Sequence, residues 1–286
     1  MRLAPWAFVV PAVIAVLAIR YLPTLVGGLY AFTDWRGDGL DANWTGLANF
    51  RQIFNDHATR SAILHTLQLA AMFVVLVNIV GLLLALGLRR AVKLRSLLRA
   101  VFFLPVVLSE LATAYVWQYI FTYDGPLNLL LHNVGLDSWR RAWLADPDWA
   151  MYTILIVLVW QFSGLTMIIY LAGLQGISDE LEDAVAVDGA SAFMKFRRVT
   201  LPLLAPAMTV AVTLTLIFGL RVFDQVIGLT GGGPVDATET LASQVYKQTF
   251  VYGLFGYGAA TALVMTVIVA VLTIAMTAAL RMRENT

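Results

Sequence analysis

The stretch from residue 63 to residue 88, ILHTLQLAAMFVVLVNIVGLLLALGL, decides the fold class, because it contains no Asp, Glu, Lys or Arg. A helix needs about 20 mostly apolar residues to cross the hydrocarbon core of a bilayer. The stretch is long enough, and it lacks the strict alternation of polar and apolar residues expected of a barrel strand. We therefore predict a membrane-spanning α-helix here.

The rest of the chain has the same character. Of its 286 residues, 60% are hydrophobic and 13% are charged, whereas soluble domains carry about 25% charged residues. We read the N-terminal apolar stretch as a first span, because it is too long for a signal peptide. The sequence predicts an all-α membrane protein with a single transmembrane domain over residues 1–286. Six stretches qualify as spans, at 6–32, 63–88, 99–121, 150–174, 203–227 and 255–280.

The link that follows the opening stretch, RRAVKLRSLLR (89–99), has five bases and no acid. Cytoplasmic loops carry an excess of Lys and Arg. When the bases inside spans are left out, eleven fall on the side of this link and six on the other. We predict a multi-pass protein of a bacterial-type cytoplasmic membrane, with both termini in the cytoplasm.

A charged insert separates the fourth and fifth predicted spans: ISDELEDAVAVDGASAFMKFRRVTLP, residues 177–202. Ser178 is a candidate N-cap, and the acids after it lie at the positive end of the helix dipole. Gly189 stands where this first short helix must stop. A second short helix follows, ends at Pro202 and carries bases at its C-terminal end. Two interpretations remain open: a loop on lipid headgroups, or a docking element for a cytoplasmic partner.

The part of the insert from residue 182 to residue 202, EDAVAVDGASAFMKFRRVTLP, resembles the EAA motif of binding-protein-dependent ABC import permeases. That motif is Glu-Ala-Ala-x-x-x-Gly followed by an apolar-x-Leu-Pro ending. Glu182, Ala184 and Gly189 correspond to its Glu, Ala and Gly, with one more residue between Ala184 and Gly189 than the motif has. The Leu-Pro at 201–202 matches, and Asp183 stands where the first alanine is usual. In that family the motif forms the coupling helix, which enters a groove on the ATPase subunit. The resemblance thus implies that Glu182, Asp183, Ala184 and Gly189 couple this chain to an ATPase.

A second string, VFDQVIGLTGGGPVDATETLASQVYKQTF (222–250), resembles the segment after span five in maltose-type and glycerol-phosphate-type permeases. Its TGGGP (230–234) is more usual in the first of two permease partners; we expect a structural loop there first, and contact with the binding protein second. AFTDW (31–35) and GLANFRQIF (46–54) resemble segments of the same permeases more weakly.

The resemblance implies a six-helix subunit paired as a heterodimer with a second, related permease. Two cytoplasmic ATPase subunits would use ATP and Mg, and an extracytoplasmic sugar-binding protein would deliver the sugar substrate. This chain would itself bind no cofactor and meet only these partners and membrane lipid, with no nucleic acid.

Ionisable groups inside predicted spans are costly and usually face the bundle interior or water. Glu110 is a lone acid in the third span, where it either lines the pathway or pairs with another helix. Arg221 and Asp224 have i,i+3 spacing, so a local ion pair is the plain alternative to a pathway role for Arg221. The side chain of Arg20 in the first span can extend so that its charged group reaches the membrane surface.

A sugar site needs a few hydrogen-bonding groups and aromatic faces in a concave cavity. Trp117 and Tyr119 offer this chemistry, although the interfacial aromatic belt also explains them. Gln161, Phe162 and Gln225 offer it as well, although Gln161 could instead bond to a neighbouring helix. With Glu110 and Arg221, these five residues are the candidate substrate-pathway residues. No motif names the sugar.

Several function classes are disfavoured. The chain has no Gly-x-x-x-x-Gly-Lys-[Ser/Thr] phosphate loop, and its three histidines have no metal-ligand spacing, so we expect neither an enzyme nor a metal site. An ABC permease for another small solute, such as an amino acid or a polyamine, is an alternative. An ion-coupled secondary transporter is a rival from a different class; it would have inverted repeats and broken midplane helices, and neither is evident in the sequence.

Overall fold

The computed structural model describes residues 4–39, 41–89, 94–178, 181 and 191–284, and the side chains within these ranges except at 4–8 and 283–284. In this described part the regular structure is helical, and the one pairing of extended backbone is an isolated bridge between Thr33 and Trp44. The prediction of an all-α protein is confirmed for these residues.

The α-helices follow the apolar runs of the sequence. They are α1 Ala4–Val16, α2 Leu22–Tyr30, α3 Ala48–Asn55, α4 His57–Arg89, α5 Arg95–Val107, α6 Glu110–Ile120, α7 Pro126–Asn133, α8 Pro147–Gln175, α9 Ala192–Lys195, α10 Leu201–Leu203, α11 Ala205–Leu220, α12 Asp224–Leu229, α13 Leu241–Tyr246 and α14 Phe255–Glu284. π-Helical turns join α1 to α2 (Leu17–Tyr21) and α9 to α10 (Phe196–Thr200), and another follows α13 (Lys247–Val251).

Four continuous helices of the described chain are long and apolar enough to cross a membrane: Val9–Tyr30, His57–Arg89, Pro147–Gln175 and Phe255–Met282. Two further pairs of helices pass the same criteria together, but each pair is sharply bent. The number of crossings is therefore four, or up to six if each bent pair makes one span. Each of the six predicted stretches overlaps one of these helices or pairs.

The first bend corrects our expectation of unbroken helices. α5 and α6 meet at 99°, because Leu108 and Ser109 between them have extended backbone. Pro105 lies in the last turn of α5, and the hydroxyl of Ser109 accepts a hydrogen bond from the amide of Ala112 at 3.5 Å, as an N-cap does. Glu110 is consequently the first residue of a half-helix rather than the middle of a long one.

The second bend, of 70°, separates the helical run Ala192–Leu203 from α11. We predicted that Pro202 ends the earlier helix; the helical run stops one residue later, at Leu203. The fifth span is also shorter than predicted. α11 ends at Leu220 rather than near residue 227, and non-helical backbone at Phe223 precedes a separate short helix, α12.

The chain forms two compact units, whereas we expected one domain. The larger comprises Ala62–Thr240 and Ile268–Thr286. In its core, a buried polar cluster links three membrane helices. The side-chain amide of Asn78 on α4 donates to Thr215 on α11 at 2.9 Å and accepts from the Tyr170 hydroxyl on α8 at 2.7 Å. Such bonds hold helices together where no water competes for them.

Two glycines set close helix contacts in this unit. A side chain at Gly164 on α8 would collide with the carbonyl oxygen of Phe102 on α5. A Cβ at Gly228 on α12 would lie 2.6 Å from the Cβ of Ala114 on α6. Small residues permit this approach, so α5 packs directly on α8, and α6 packs directly on α12.

The smaller unit comprises Met1–Ser61 and Leu241–Val267. The loop after α2 contacts the start of α14: the amide of Gly256 donates to the carbonyl of Trp35 at 2.8 Å, and the rings of Trp35 and Phe255 lie 5.2 Å apart. The Thr59 hydroxyl lies 3.0 Å from the Tyr257 hydroxyl. Arg20 is exposed in the π-helical turn between α1 and α2.

Candidate functional site

A small polar cavity lies in the larger unit, beside the bend between α5 and α6. Its volume is about 260 Å³. Its lining comes from α4, α6, α8, the end of α11, the following turn and α12, and consists of Phe73, Glu110, Phe162, Phe218, Arg221, Val222 and Gln225. Four of the seven predicted pathway residues therefore meet at one cavity.

Gln225 organises the polar side of this cavity. Its side-chain amide nitrogen donates one hydrogen bond to Glu110 Oε2 at 3.1 Å and another to Gln161 Oε1 at 3.0 Å. Both amide hydrogens of Gln225 are thus used. Gln225 and Gln161 are buried, whereas Glu110 is exposed. This Gln225 fork joins α6, α8 and α12, and it presents the Glu110 carboxylate at the open side.

Gln161, the fifth predicted pathway residue, lies behind the cavity wall as a bonding partner of Gln225. Its buried Nε2 has no hydrogen-bond partner among the described residues. The bond to Gln225 is the contact with a neighbouring helix that the sequence analysis gave as the alternative role of Gln161.

Three phenylalanines form the apolar wall. The ring of Phe162 lies edge-on to Phe73, with centroids 5.8 Å apart, and tilted against Phe218 at 5.5 Å. Phe73 and Phe162 are buried, and Phe218 is partly exposed. Aromatic faces next to a carboxylate, an amide and a guanidinium are suited to a ligand with both hydroxyl groups and apolar C–H faces.

Arg221 contributes a positive charge to the same cavity. It is exposed, and the ion pairs of the described residues do not join it to Asp224. The expected i,i+3 pair does not form because α11 ends at Leu220, so residues 221 and 224 are not one helical turn apart. Arg221 instead contributes to the lining of the cavity.

The structure does not bring Trp117 and Tyr119 to this cavity. Trp117 stacks on Phe121 at 5.2 Å and packs edge-on against Trp160 at 5.3 Å, so it belongs to the core of the unit. Tyr119 is 67% exposed on α6. This exposure fits the alternative interpretation of Tyr119 given above, namely an aromatic residue of the membrane interface.

Phe73, Phe218 and Val222 line the cavity but were not predicted. Phe218 and Val222 lie seven and three residues before Gln225, but the break after Leu220 means that no helical spacing in the sequence relates them to it. Phe73 comes from α4 and has no local sequence signal, because only packing places it next to α8.

A larger cavity of about 890 Å³ lies between α4, α5 and α8. It borders the bend at Pro105 and Leu108, and its lining is almost wholly apolar. It lacks the converging polar groups that would orient a sugar. In the described part of the chain, no cluster of His, Asp or Glu is arranged to hold a metal ion.

The four predicted coupling residues, Glu182, Asp183, Ala184 and Gly189, lie outside the described residues. The two ends of the insert are described. The Ser178 hydroxyl accepts from the amide of Leu181 at 3.4 Å, which is the N-cap contact predicted for it. Ser191 likewise accepts from Met194 at 3.3 Å and caps α9, whose Phe193 is exposed.

The TGGGP segment forms a tight loop, as its glycines predict. Gly231 and Gly232 have φ of +62° and +91°, a region that favours glycine. The hydroxyl of Thr238 lies 2.7 Å from that of Thr230 and donates to the carbonyl of Gly233 at 2.6 Å. The loop is therefore closed by its own side chains.

Comparisons with known proteins agree with this architecture. Residues 77–283 match the family described as the binding-protein-dependent transport system inner membrane component. The chain is 31% identical to the probable starch degradation products transport system permease protein AmyD of Thermoanaerobacterium thermosulfurigenes, over 94% of this chain and 91% of that protein. It is also 31% identical to the multiple sugar-binding transport system permease protein MsmF of Streptococcus mutans, over 94% and 92%.

A solved structure shares the fold. The chain superposes with a TM-score of 0.85 on a chain of a bacterial alginate ABC transporter crystallised with its alginate pentasaccharide-bound periplasmic protein, at 24% identity over 99% of this chain and 96% of that one. The sequence match to the family covers most of the chain and includes both bent helix pairs. The chain therefore belongs to the binding-protein-dependent transport system inner membrane components.

Proposed function

We propose that this chain is the transmembrane permease subunit of an ATP-driven sugar importer and forms half of the translocation pathway. It would pair with a second, related permease, receive sugar from an extracytoplasmic binding protein, and respond to two cytoplasmic ATPases. The chain itself would carry out no chemistry. Its membership of the family supports the transport role, and the names of two relatives that cover nearly all of it support sugar as the solute.

The observation that carries the proposal is the cavity at the Gln225 fork. It combines a carboxylate, a guanidinium and a buried amide with three aromatic rings. At about 260 Å³ it is slightly smaller than the roughly 300–1,000 Å³ of typical ligand pockets. We infer that Glu110, Arg221 and Gln225 hydrogen-bond to a sugar ring, while Phe162 and its neighbours pack against its C–H faces. Trp117 and Tyr119 take no part in this cavity.

Coupling to ATP hydrolysis is assigned to the insert between α8 and α11. Glu182, Asp183, Ala184 and Gly189 would dock on the ATPase, and Mg-ATP would bind there rather than on this chain. The insert would lie on the same side of the membrane as the basic link between α4 and α5. Because cytoplasmic loops are rich in Lys and Arg, that side would be the cytoplasm, and both termini would lie there as well. Movement of the insert would then be transmitted to α8 and α11, which it joins.

The test uses the assembled transporter reconstituted in liposomes, with the binding protein identified from its neighbouring genes. That binding protein is screened against neutral sugars, amino acids and polyamines, and uptake of the best ligand is measured with and without internal ATP. We expect a sugar to bind and to be transported only with ATP. Uptake driven by an ion gradient without ATP, or a binding protein that takes only amino acids or polyamines, would overturn the proposal.

The role of the cavity is tested in the same liposomes. Glu110→Leu should abolish uptake while the complex still assembles and its ATPase still responds to the loaded binding protein. Gln118→Leu is the matched control, since Gln118 lies on the same half-helix and bonds to the carbonyl of Leu229 instead. Normal uptake by Glu110→Leu would show that the cavity is not part of the translocation pathway.

A further inference from the structure

The segment between α6 and α8, residues 121–146, contains the short helix α7 and the 3₁₀ turn Asp137–Trp139. It starts at the end of a bent pair that passes the criteria for a membrane span and ends at a continuous helix that does so too. Both of its ends therefore adjoin helices that are candidates to span the membrane.

One side of this segment is apolar and exposed. Leu130 and Val134 lie one turn apart on the same face of α7 and its last residues, and they are 58% and 59% exposed. Leu136 and Trp139, two and five residues after Val134, are also exposed, and the amide of Trp139 bonds to the carbonyl of Leu136. We name these four residues the apolar edge.

The other side is polar. His132 Nδ1 lies 2.8 Å from Asp137 Oδ1, and Arg140 donates to the same oxygen at 3.4 Å. The hydrogen bond with His132, followed by that with Arg140, holds the pKa of the Asp137 carboxyl below its usual value. His132 and Asp137 are both largely exposed. Positions 130 and 132 point about 200° apart on a helix, so the two sides of α7 differ in chemistry.

Internal bonds fix the segment in this orientation. The side chain of Asn128 is fully buried; it donates to the carbonyls of Tyr123 and Arg141 and accepts from the indole of Trp143 at 2.9 Å. The guanidinium of Arg141 lies 4.0 Å from the ring centre of Trp149. The apolar edge is consequently held outward by a rigid frame, at the cost of exposing apolar area.

We propose that α7 and the turn after it lie in the membrane interface, with the apolar edge inserted among the lipids of the adjacent leaflet. Interfacial helices place Leu, Phe and Trp on the lipid side and polar groups on the other. Tyr119 and Tyr152, which are exposed near the ends of α6 and α8, continue the edge as an aromatic belt. The inference depends neither on the transported solute nor on the direction of insertion.

Lipid fits this edge better than a soluble partner protein. Transient protein interfaces are about as polar as ordinary protein surface, and they are enriched in Arg as well as in aromatic residues and Met. The apolar edge has no charge, and its one polar side-chain group is the indole N–H of Trp139. Indole at the boundary between hydrocarbon and headgroups is typical of membrane anchors.

The absence of cysteine allows a direct test. Single cysteines at Leu130 and, as the matched control, at His132 are spin-labelled in the complete transporter, reconstituted in phosphatidylcholine and phosphatidylglycerol liposomes. Collision rates are measured with oxygen, which concentrates in lipid, and with a nickel chelate, which stays in water. We expect oxygen collisions to dominate at 130 and nickel collisions at 132. Val134→Cys, on the same face, should repeat the result at 130.

Nickel collisions dominating at both 130 and 134 would overturn the proposal, because the edge would then face water. So would labels shielded from both reagents, or shielded once purified binding protein is added, because a protein would then cover the edge. A second readout uses brominated lipid. The lipid should quench the fluorescence of the parent transporter more than that of Trp139→Phe, and equal quenching of the two would count against insertion.

Discussion

The side-chain amide of Gln225 bonds to Glu110 at 3.1 Å although 115 positions separate the two in the chain. The same nitrogen bonds to Gln161, so one side chain connects a half-helix, a long membrane helix and a short helix at the wall of the candidate site. The acid that faces the cavity is thus held in place by a buried neighbour.

This arrangement predicts unequal costs for two similar substitutions. Gln225→Met removes both bonds and leaves two buried polar atoms of Gln161 without partners, whereas Gln161→Met removes one bond together with the unpartnered Nε2. A buried polar group left unsatisfied costs about 1–3 kcal/mol. We expect Gln225→Met to lower the thermal midpoint of the purified complex more than Gln161→Met. Equal or reversed shifts would contradict the fork as described.

The contact between α8 and α5 predicts a steric effect at Gly164. Gly164→Ala places a methyl group against the backbone of Phe102 and should destabilise the complex by about 1–3 kcal/mol. Gly87→Ala on α4 meets open space and should be neutral or slightly stabilising. The measurement is the fraction of each variant that stays monodisperse after heating in detergent. If the two variants behave alike, α5 and α8 are not in contact at Gly164.

Orientation is predicted from the distribution of bases. Ser96→Cys, in the basic link, should be shielded from an impermeant thiol reagent in intact cells, whereas His132→Cys should be labelled. Both positions are exposed, and the chain has no competing cysteine. Labelling in permeabilised cells is the control that both thiols are reactive. The opposite pattern in intact cells would place the insert between α8 and α11 outside the cell and separate it from any ATPase.

Coupling is predicted to depend on Gly189. A β-branched residue where a left-handed backbone is expected carries strain of about 1–3 kcal/mol and adds bulk at the docking surface. Gly189→Val should leave the protein in the membrane but abolish uptake and the ATPase response to loaded binding protein. Gly176→Ala is the control, since Gly176 has φ of −78° and tolerates a side chain. Normal uptake by Gly189→Val would show that the insert is not the coupling element.

The sequence predicted the helices well and their interruptions poorly, for a physical reason. Apolar composition shows which segments of a chain prefer lipid to water. It says little about whether the backbone within such a segment is one continuous helix or a bent one. The N-cap at Ser109, four residues after Pro105, was readable but was hidden inside an apolar stretch. The i,i+3 rule failed at Arg221 because it holds only within a helix, and α11 stops one residue earlier.

The candidate site was only partly predictable. Glu110, Gln161, Arg221 and Gln225 were noticed because polar side chains are costly within apolar, membrane-spanning stretches. Phe73 could not be found this way, since an apolar residue in an apolar helix has no distinguishing neighbours in sequence. Trp117 was chosen by residue type, but packing against Phe121 and Trp160 places it in the core.

The two extended residues between α5 and α6 form a hinge about which α6 can rotate. α5 is packed against α8 at Gly164, while α6 is packed on α12 through Gly228, so a rotation at Leu108 and Ser109 would carry α6 and α12 together. At 1.5 Å per residue, the 11 residues of α6 span roughly 16 Å, and a turn of about 10° would displace the far end by roughly 3 Å. A swing of that size is comparable to the thickness of a sugar ring. A rotation at this one joint would therefore move the Ile120 end of α6, while Glu110, which adjoins the joint, stays almost in place.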